Sequence, residues 1–249
     1  MKKIMSFFLV MLAACSLAAC GKSDGQESPS DSGQMKEQTD EQSVKESVAE
    51  PSVKKTETDG SGSKQTKQDG AKKILVAYFS WADNAVQSDI DAMTSPSVKV
   101  PGDVAQLASW VGEETGGELF PIEVTEPYPS DWDDCLDRAN QEKGDGTHPA
   151  LKAKVENLQD YDTVYLGYPN WWYSCPMAIF SFLEENDLSG KQVYLFCSHG
   201  TGGLASSVKD ISKAIPGAKI SDNVFDVYEE DAASAKDEIV EWIKSTSAN

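Results

Sequence analysis

A series of short, largely apolar runs, each bounded by polar residues, constrains the fold of this chain more than any other feature of its sequence. The runs cover residues 73–79, 119–124, 163–168, 192–197 and 224–228. Apolar runs of this length are typical of strands that are covered on both faces of a sheet. The sequence therefore predicts five buried strands.

Segments with helical character separate these strands. The clearest has apolar residues at Val104, Leu107 and Val111 and stops at Gly116. We expect further helices over residues 131–142, 149–158, 177–184, 204–215 and 233–244. Strands that alternate with helices form a parallel sheet with helices on both faces. The predicted fold class is α/β, a doubly wound five-stranded parallel sheet.

Residues 1–20 have the pattern of an export signal, because Lys2 and Lys3 precede an apolar run too short to span a bilayer. Leu-Ala-Ala-Cys occurs twice, ending at Cys15 and Cys20, and resembles the bacterial lipobox, whose Cys is diacylated. We predict lipidation at Cys20, which leaves an apolar run of normal length. Two acyl chains would hold the protein on the extracytoplasmic face of the cell membrane. The alternative is an ordinary cleaved signal with incidental cysteines.

The segment that follows differs in composition from the rest of the chain. Residues 21–71 contain no Phe, Tyr or Trp, whereas residues 72–249 hold all six Trp and all eight Tyr. A segment without large apolar side chains cannot bury a core that offsets the entropy of ordering it. We interpret residues 21–71 as a disordered polar tether and residues 72–249 as one folded domain.

The charge of the chain excludes two classes of partner. The formal net charge is −19, and residues 73–249 carry 30 Asp and Glu against 12 Lys and Arg. Phosphate polymers repel so acidic a surface, so nucleic-acid binding is excluded. The domain also lacks the basic face that would lie flat on anionic lipid.

The residues that directly follow the predicted strands are the candidate binding site, because ligands of doubly wound sheets bind beyond the carboxyl ends of the strands. The loop at 80–85 is small and polar, the loop at 169–176 is aromatic and the loop at 198–203 is Gly-rich. Hydroxyl and backbone N–H groups hold phosphate, while indoles cover a flat ring. Together the loops favour a flat aromatic ligand with a phosphate tail.

Three motifs then point to a known family: ILVAYFS at 74–80, GYPNWW at 167–172 and FCSHG at 196–200. They resemble the flavodoxin-like family, in its branch of flavodoxin-domain bacterial lipoproteins, over roughly residues 73–244. The resemblance implies a sheet of strand order 2-1-3-4-5, noncovalently bound FMN and the transfer of one or two electrons.

The resemblance also implies which residues bind the cofactor. They come from a phosphate loop, an isoalloxazine loop and a third flavin loop: Ser80, Trp81, Ala82, Asp83, Asn84 and Ala85; Pro169, Asn170, Trp171, Trp172 and Tyr173; Ser198, His199, Gly200 and Gly203.

The phosphate loop departs from the family pattern, which reads Ser-x-Thr-Gly-Asn-Thr. Ala82 and Ala85 stand in place of the two Thr residues, and Asp83 stands in place of Gly. Two hydroxyl donors are thus missing, and a carboxylate would repel a dianionic phosphate. Residues 86–102 look inserted before the first long helix, so we expect the N-terminus of that helix not to abut the phosphate in the usual way.

Three classes of function remain open. The protein is an FMN-binding electron carrier, an FMN-dependent quinone or nicotinamide oxidoreductase, or a flavin-free binding domain that has lost its phosphate loop. The sequence predicts no catalytic residue and no metal site, and it does not identify the redox donor or acceptor. A bridge between Cys175 and Cys197 is conceivable but is not expected, because disulfide geometry is narrow.

Overall fold

The predicted apolar runs form the strands of a single sheet in the computed structural model, which describes residues 73–88, 90 and 92–247. The strands are β1 Lys73–Tyr78, β2 Glu118–Pro121, β3 Tyr161–Pro169, β4 Gln192–His199, β5 Lys219–Ile220 and β6 Phe225–Tyr228. The order is β2-β1-β3-β4-β5, and every pairing is parallel. The predicted 2-1-3-4-5 sheet is confirmed. The predicted signal peptide, Cys20 and the tether lie outside the described residues.

The fifth position of the sheet is shared by two short strands that both pair with β4. Ile220 of β5 pairs with Val193, and Phe225 of β6 pairs with Phe196. The predicted strand at 224–228 corresponds to β6 alone.

The helices flank the sheet as expected, with one exception. They are α1 Trp81–Asn84, α2 Asp103–Thr115, α3 Trp132–Asp145, α4 Met177–Glu185, α5 Ser207–Ala214 and α6 Lys236–Ser247. The predicted helix over 149–158 is wrong. Thr125 N donates to Ala150 O at 2.9 Å and Lys152 N donates to Glu123 O at 2.8 Å, so this segment pairs with the chain after β2. None of the helices in the described residues is long and apolar enough to cross a bilayer.

The two faces of the sheet have separate cores. Phe79, Ile179 of α4 and Leu195 belong to one core, while Val76, Leu107 of α2 and Ile239 of α6 belong to the other. Successive strand residues alternate between the two cores because strand side chains point to opposite faces.

The segment between α1 and α2 folds back over the end of β1. It includes a short 3-10 turn at Pro96–Val98 and ends at Gly102, which precedes the first residue of α2. A methyl group at Gly102 would overlap Ser80 Oγ, so only glycine allows this approach. The N-terminus of α2 therefore lies directly beside Ser80, contrary to the expectation that the insertion would separate them.

Candidate functional site

A cavity of about 260 Å³ lies at the carboxyl ends of β3 and β4, the edge at which doubly wound sheets bind ligands. Nine of the predicted site residues line it: Trp81, Pro169, Asn170, Trp171, Trp172, Tyr173, Ser198, His199 and Gly200. A cavity of about 710 Å³ lies at the opposite edge, beside the first residues of β3 and β4, and no predicted site residue lines it. The two loops after β3 and β4 therefore meet around one cavity.

The aromatic loop is built on a tight turn in an unusual conformation. Trp171 and Ser174 exchange two backbone hydrogen bonds, of 3.3 and 3.0 Å, around Trp172 and Tyr173. The φ angles of Trp172 and Tyr173 are 52° and 58°. Two consecutive positive φ angles define the hairpin turn that usually contains Asn-Gly, and bulky residues there are strained. The turn places the side chains of Trp172 and Tyr173 in the cavity wall, and the strained backbone of these two residues destabilises the fold.

Trp171 and Tyr173 have different surroundings. Trp171 makes edge-on contacts with Phe79 and Tyr128, with ring centroids 5.5 and 5.1 Å apart. Tyr173, by contrast, leaves 67% of its surface exposed. Trp171 thus joins the wall of the cavity to the core, whereas Tyr173 lines the cavity from a largely exposed position.

Hydrogen bonds join the aromatic loop to the Gly-rich loop. Asn170 N donates to Ser198 O at 2.8 Å, and Asn170 Nδ2 donates to Gly203 O. Ser206 Oγ donates to Tyr173 O at 2.7 Å. Gly203 itself does not line the cavity. Its carbonyl oxygen accepts the bond that joins the Gly-rich loop to Asn170 of the aromatic loop.

His199 lies where the Gly-rich loop meets β6. Its Nδ1 is 2.7 Å from Gly200 O, and its Nε2 is 3.0 Å from Asp226 Oδ2. These two contacts fix the orientation of the His199 ring between the Gly-rich loop and β6.

Two other carboxylates lie at the same edge. Ser95 Oγ donates to Glu229 Oε2 at 3.0 Å, and Ser198 Oγ donates to Asp103 Oδ2 at 3.3 Å. The pKa of Asp103 is raised to about 6, mainly by burial and to a smaller extent by the negative charge of Glu229, while the bond from Ser198 opposes both effects. The cavity therefore carries more negative than positive charge at neutral pH.

The predicted phosphate loop is mostly packed away from the cavity. Ser80, Ala82, Asp83, Asn84 and Ala85 do not line it. The Asn84 side chain donates to Ser80 O and Ile122 O and accepts from Val124 N, at 2.8–3.0 Å, so its amide is used within the fold.

Asp83 does not line the cavity, but its carboxyl is hydrogen-bonded to the Ser80 side chain. The pKa of Asp83 is raised, first by burial and then by the charge of Glu123, while the bond with Ser80 lowers it; the charge of Asp83 in turn raises the pKa of Tyr78. The expected repulsion between Asp83 and a phosphate beside Ser80 stays a prediction.

The inserted segment and α3 supply cavity residues that the sequence did not predict. They are Ser95, Ser97, Trp132, Cys135, Leu136 and Ala139. Glu229, one of the acidic residues that follow the last strand, also lines the cavity. Trp132 is the one with a sequence signal, since it is a large aromatic residue at the start of a strongly polar helix. Nothing local in the sequence marks Ser95 or Ser97.

The cysteines in the described residues are all free thiols. Cys175 and Cys197 are buried and no bridge joins them. Burial raises the pKa of Cys135 and of Cys175 to about 12, which leaves both thiols protonated and unreactive. No cluster of three potential metal ligands occurs within residues 73–88, 90 and 92–247.

Comparison with known proteins agrees with this geometry. The sequence model of the flavodoxin family matches residues 73–246. A crystal structure assigned as a flavoprotein from Bacteroides eggerthii DSM 20697 is 30% identical, with a TM-score of 0.50, and the match covers 68% of this chain and 98% of that one. Another, from Bacteroides uniformis ATCC 8492, is 28% identical, with a TM-score of 0.55 and coverage of 70% and 99%. No curated protein matches this chain.

Proposed function

The chain belongs to the flavodoxin family, and from this premise we propose that it binds FMN noncovalently and acts in electron transfer outside the cytoplasmic membrane. The observation that carries the proposal is the cavity at the ends of β3 and β4, where the strained aromatic turn faces the Gly-rich loop. A planar ring is the ligand that such a pair of loops encloses best, because indoles stack on its faces and backbone groups bind its polar edge.

The donor set of the site fits both ends of FMN. Trp172 and Tyr173 offer flat apolar surfaces to the ring, and the Gly-rich loop lines the cavity through Gly200, Thr201 and Gly202. At the other end, the buried Ser80 hydroxyl lies beside the start of α2 and shares a side-chain hydrogen bond with Asp83. A hydroxyl next to a helix N-terminus suits an anionic group.

FMN, when bound, supplies reversible transfer of one or two electrons. The protein's own residues position the flavin ring and set how far solvent reaches it. The bonds from Asn170 hold the aromatic and Gly-rich loops at a fixed separation, and Trp171 anchors the turn to the core through Phe79 and Tyr128. Aromatic rings line the cavity, and wherever they displace water from a bound flavin the effect of nearby charges on its electron affinity is stronger.

The location of the protein follows from the sequence rather than from the described residues. The signal at residues 1–20 and its lipobox support export and lipidation of Cys20. A polar tether of roughly fifty residues has a root-mean-square reach of roughly 40 Å, so the domain would meet partners near the membrane. Its redox donor and acceptor remain to be identified, and the net charge of −19 favours partners with a basic docking face.

A spectroscopic titration tests the proposal. The full chain is purified, mixed with FMN and freed of unbound ligand, and its visible absorbance and flavin fluorescence are recorded. Retained yellow colour with quenched fluorescence supports the proposal. A chain that retains no flavin is instead a flavin-free binding domain, and turnover of a quinone or nicotinamide would assign it to the oxidoreductase class.

A further inference from the structure

We propose that Asp210 and Lys143 are positioning residues, which hold the strained aromatic turn in the shape that receives the flavin ring before any ligand binds. Neither residue lines the cavity, so both act through the turn. This inference rests on the proposed function and names how this chain prepares the ring end of its site.

The backbone of the aromatic turn depends on contacts from outside the turn. Trp172 and Tyr173 have φ angles of 52° and 58°, which side chains of this size rarely adopt. The segment that bonds to the turn is strained as well, because Ala205 has a φ angle of 42°. Strained conformations persist only where the surrounding structure fixes them, and they cluster at ligand-binding sites. The contacts that fix this turn therefore decide whether the ring site exists in the free protein.

Asp210, in the first turn of α5, is where several of these contacts converge. Ser174 Oγ, at the end of the aromatic turn, donates to Asp210 Oδ2 at 2.9 Å. The Ser206 hydroxyl lies 2.6 Å from the same carboxylate oxygen and 2.7 Å from Tyr173 O, so its one proton is shared between two acceptors. The Ser206 amide also donates to Tyr173 O at 3.0 Å. One carboxylate thus joins the turn to the chain that follows the Gly-rich loop.

The charge of Asp210 strengthens these contacts. The pKa of Asp210 is lowered, first by the hydrogen bond from Ser206 and also by those from Ser174 and Lys213, although burial opposes them. Asp210 is therefore ionised at neutral pH. Hydrogen bonds to an ionised acceptor are stronger than those between neutral groups, so the carboxylate restrains the turn more firmly than a neutral side chain would.

Lys143 restrains the turn from a second helix. It lies in the last turn of α3, and its ammonium group donates to Trp172 O. Each of the two consecutive carbonyls at positive φ therefore has a donor, Lys143 for Trp172 and Ser206 for Tyr173. A methyl group at Gly202 would lie 3.5 Å from two carbon atoms of the Tyr173 ring, so this ring also packs on the Gly-rich loop. Fixed carbonyls thus fix where the two rings stand in the cavity wall.

A preformed turn raises the affinity for a flat ring. When only a fraction of the molecules has the binding-competent turn, the apparent affinity falls in proportion to that fraction. Loss of Asp210 or Lys143 should therefore weaken binding through the ring rather than through the phosphate. FMN and riboflavin share the ring, so both should lose affinity by the same factor.

Titration of the full chain with FMN and with riboflavin tests this inference. Asp210→Ala should weaken the binding of both ligands at least about tenfold, or about 1.4 kcal/mol. Asp210→Asn keeps an oxygen that accepts both hydroxyl bonds, so it should recover most of the affinity. Lys143→Met should weaken both ligands several-fold. Lys209→Ala, which changes the exposed neighbour of Asp210 on α5, should bind both ligands as wild type does.

Hydrogen–deuterium exchange of the ligand-free chain is the second measurement. The Ser174 amide donates to Trp171 O at 3.0 Å, and the Ser206 amide closes the contact with Tyr173 O, so both amides report on the turn. We expect both to be protected in the wild-type chain without flavin and to exchange faster in Asp210→Ala. The amides of β4 should keep their protection, which shows that the variant still folds. Should Asp210→Ala unfold, Lys143→Met carries the same comparison, because it changes an exposed side chain.

The outcomes separate this inference from the proposed function. Amides of the turn that become protected only after FMN is added, or unchanged affinity in both Asp210→Ala and Lys143→Met, overturn the preformed turn while FMN binding stands. A loss for FMN that is much larger than the loss for riboflavin overturns it too, because the two residues would then act on the phosphate end. A wild-type chain that binds neither flavin overturns both.

Discussion

Ser198 Oγ donates a 3.3 Å hydrogen bond to Asp103 Oδ2, and this bond links the end of β4 to the first turn of α2. A carboxylate in the first turn of a helix is usually favourable. Here burial and the nearby charge of Glu229 outweigh that effect and raise the pKa of Asp103 to about 6. The charged form of Asp103 is therefore less favourable in the folded protein than in the unfolded chain, although it still predominates at pH 7.

The first prediction concerns pH and stability. An aspartate in an unfolded chain titrates near about 3.9, so between about pH 4 and pH 6 the folded state binds more protons than the unfolded state. The free energy of unfolding should fall as pH rises through this interval. Asp103→Asn should be more stable than wild type at pH 7 by about 1–2 kcal/mol, a value reduced for partial exposure.

Urea unfolding at pH 4 and pH 7 measures this effect. Asp222→Asn, which changes an exposed carboxyl outside the cavity, is the control. We expect the advantage of Asp103→Asn to disappear near pH 4. If Asp103→Asn were more stable than wild type by the same amount at pH 4 and pH 7, the stability difference would not come from ionisation of Asp103.

The second prediction concerns the strained turn. Trp172→Asn with Tyr173→Gly places the residues that this turn type prefers at the two positive φ angles. The double variant should raise the free energy of unfolding by about 1–2 kcal/mol, because each strained residue costs about 1–3 kcal/mol. It should also weaken FMN binding at least about tenfold, since each stacked ring contributes about 1–3 kcal/mol by analogy with bases on aromatic side chains.

Trp171→Ala is the contrasting variant, because Trp171 packs on Phe79 and Tyr128. It should lower the unfolding temperature, unlike the turn variant. A turn variant that binds FMN as tightly as wild type would show that these rings do not cover the ligand.

The third prediction concerns the redox potential of bound FMN. Two-electron reduction at neutral pH tends to add negative charge to the ring, and carboxylates near a dry cavity oppose it. We expect a midpoint below that of free FMN, with part of the shift lost at high salt. Glu229→Gln, at the cavity wall, should raise the midpoint by about 30 mV, which corresponds to about 1.4 kcal/mol for two electrons.

Potentiometric titration at low and high ionic strength checks this prediction. Glu230→Gln, beside the cavity residue but outside the wall, is the matched control. A wild-type midpoint at or above that of free FMN would mean that the acidic groups do not tune the flavin.

The fourth prediction concerns the anchor. Cys20→Ser should release the protein from the membrane fraction of a bacterial host, because a serine cannot carry the thioether-linked lipid. Cys15→Ser should leave it membrane-bound. Fractionation followed by detection of the domain measures both, and the reverse pattern would move the lipidation site to Cys15.

The sequence alone predicts those features that depend on local pattern. Apolar runs locate the strands, and the residues that follow them locate the aromatic and Gly-rich loops. The prediction of a helix at 149–158 is wrong because the backbone of Ala150 and Lys152 bonds to residues distant in sequence. A local sequence pattern does not show such distant partners.

Only the tertiary structure decides how the phosphate end of the site is built. Ser95 meets Glu229 from 134 positions away, and Asp103 meets Ser198 from 95 positions away. The loop at 80–85 follows β1 as a phosphate loop would, but it uses the Asn84 amide within the fold. Composition and spacing reveal which residues follow a strand, since that depends on neighbours along the chain. The position of the inserted segment beside Ser80 and Gly102 depends on packing between distant parts of the chain.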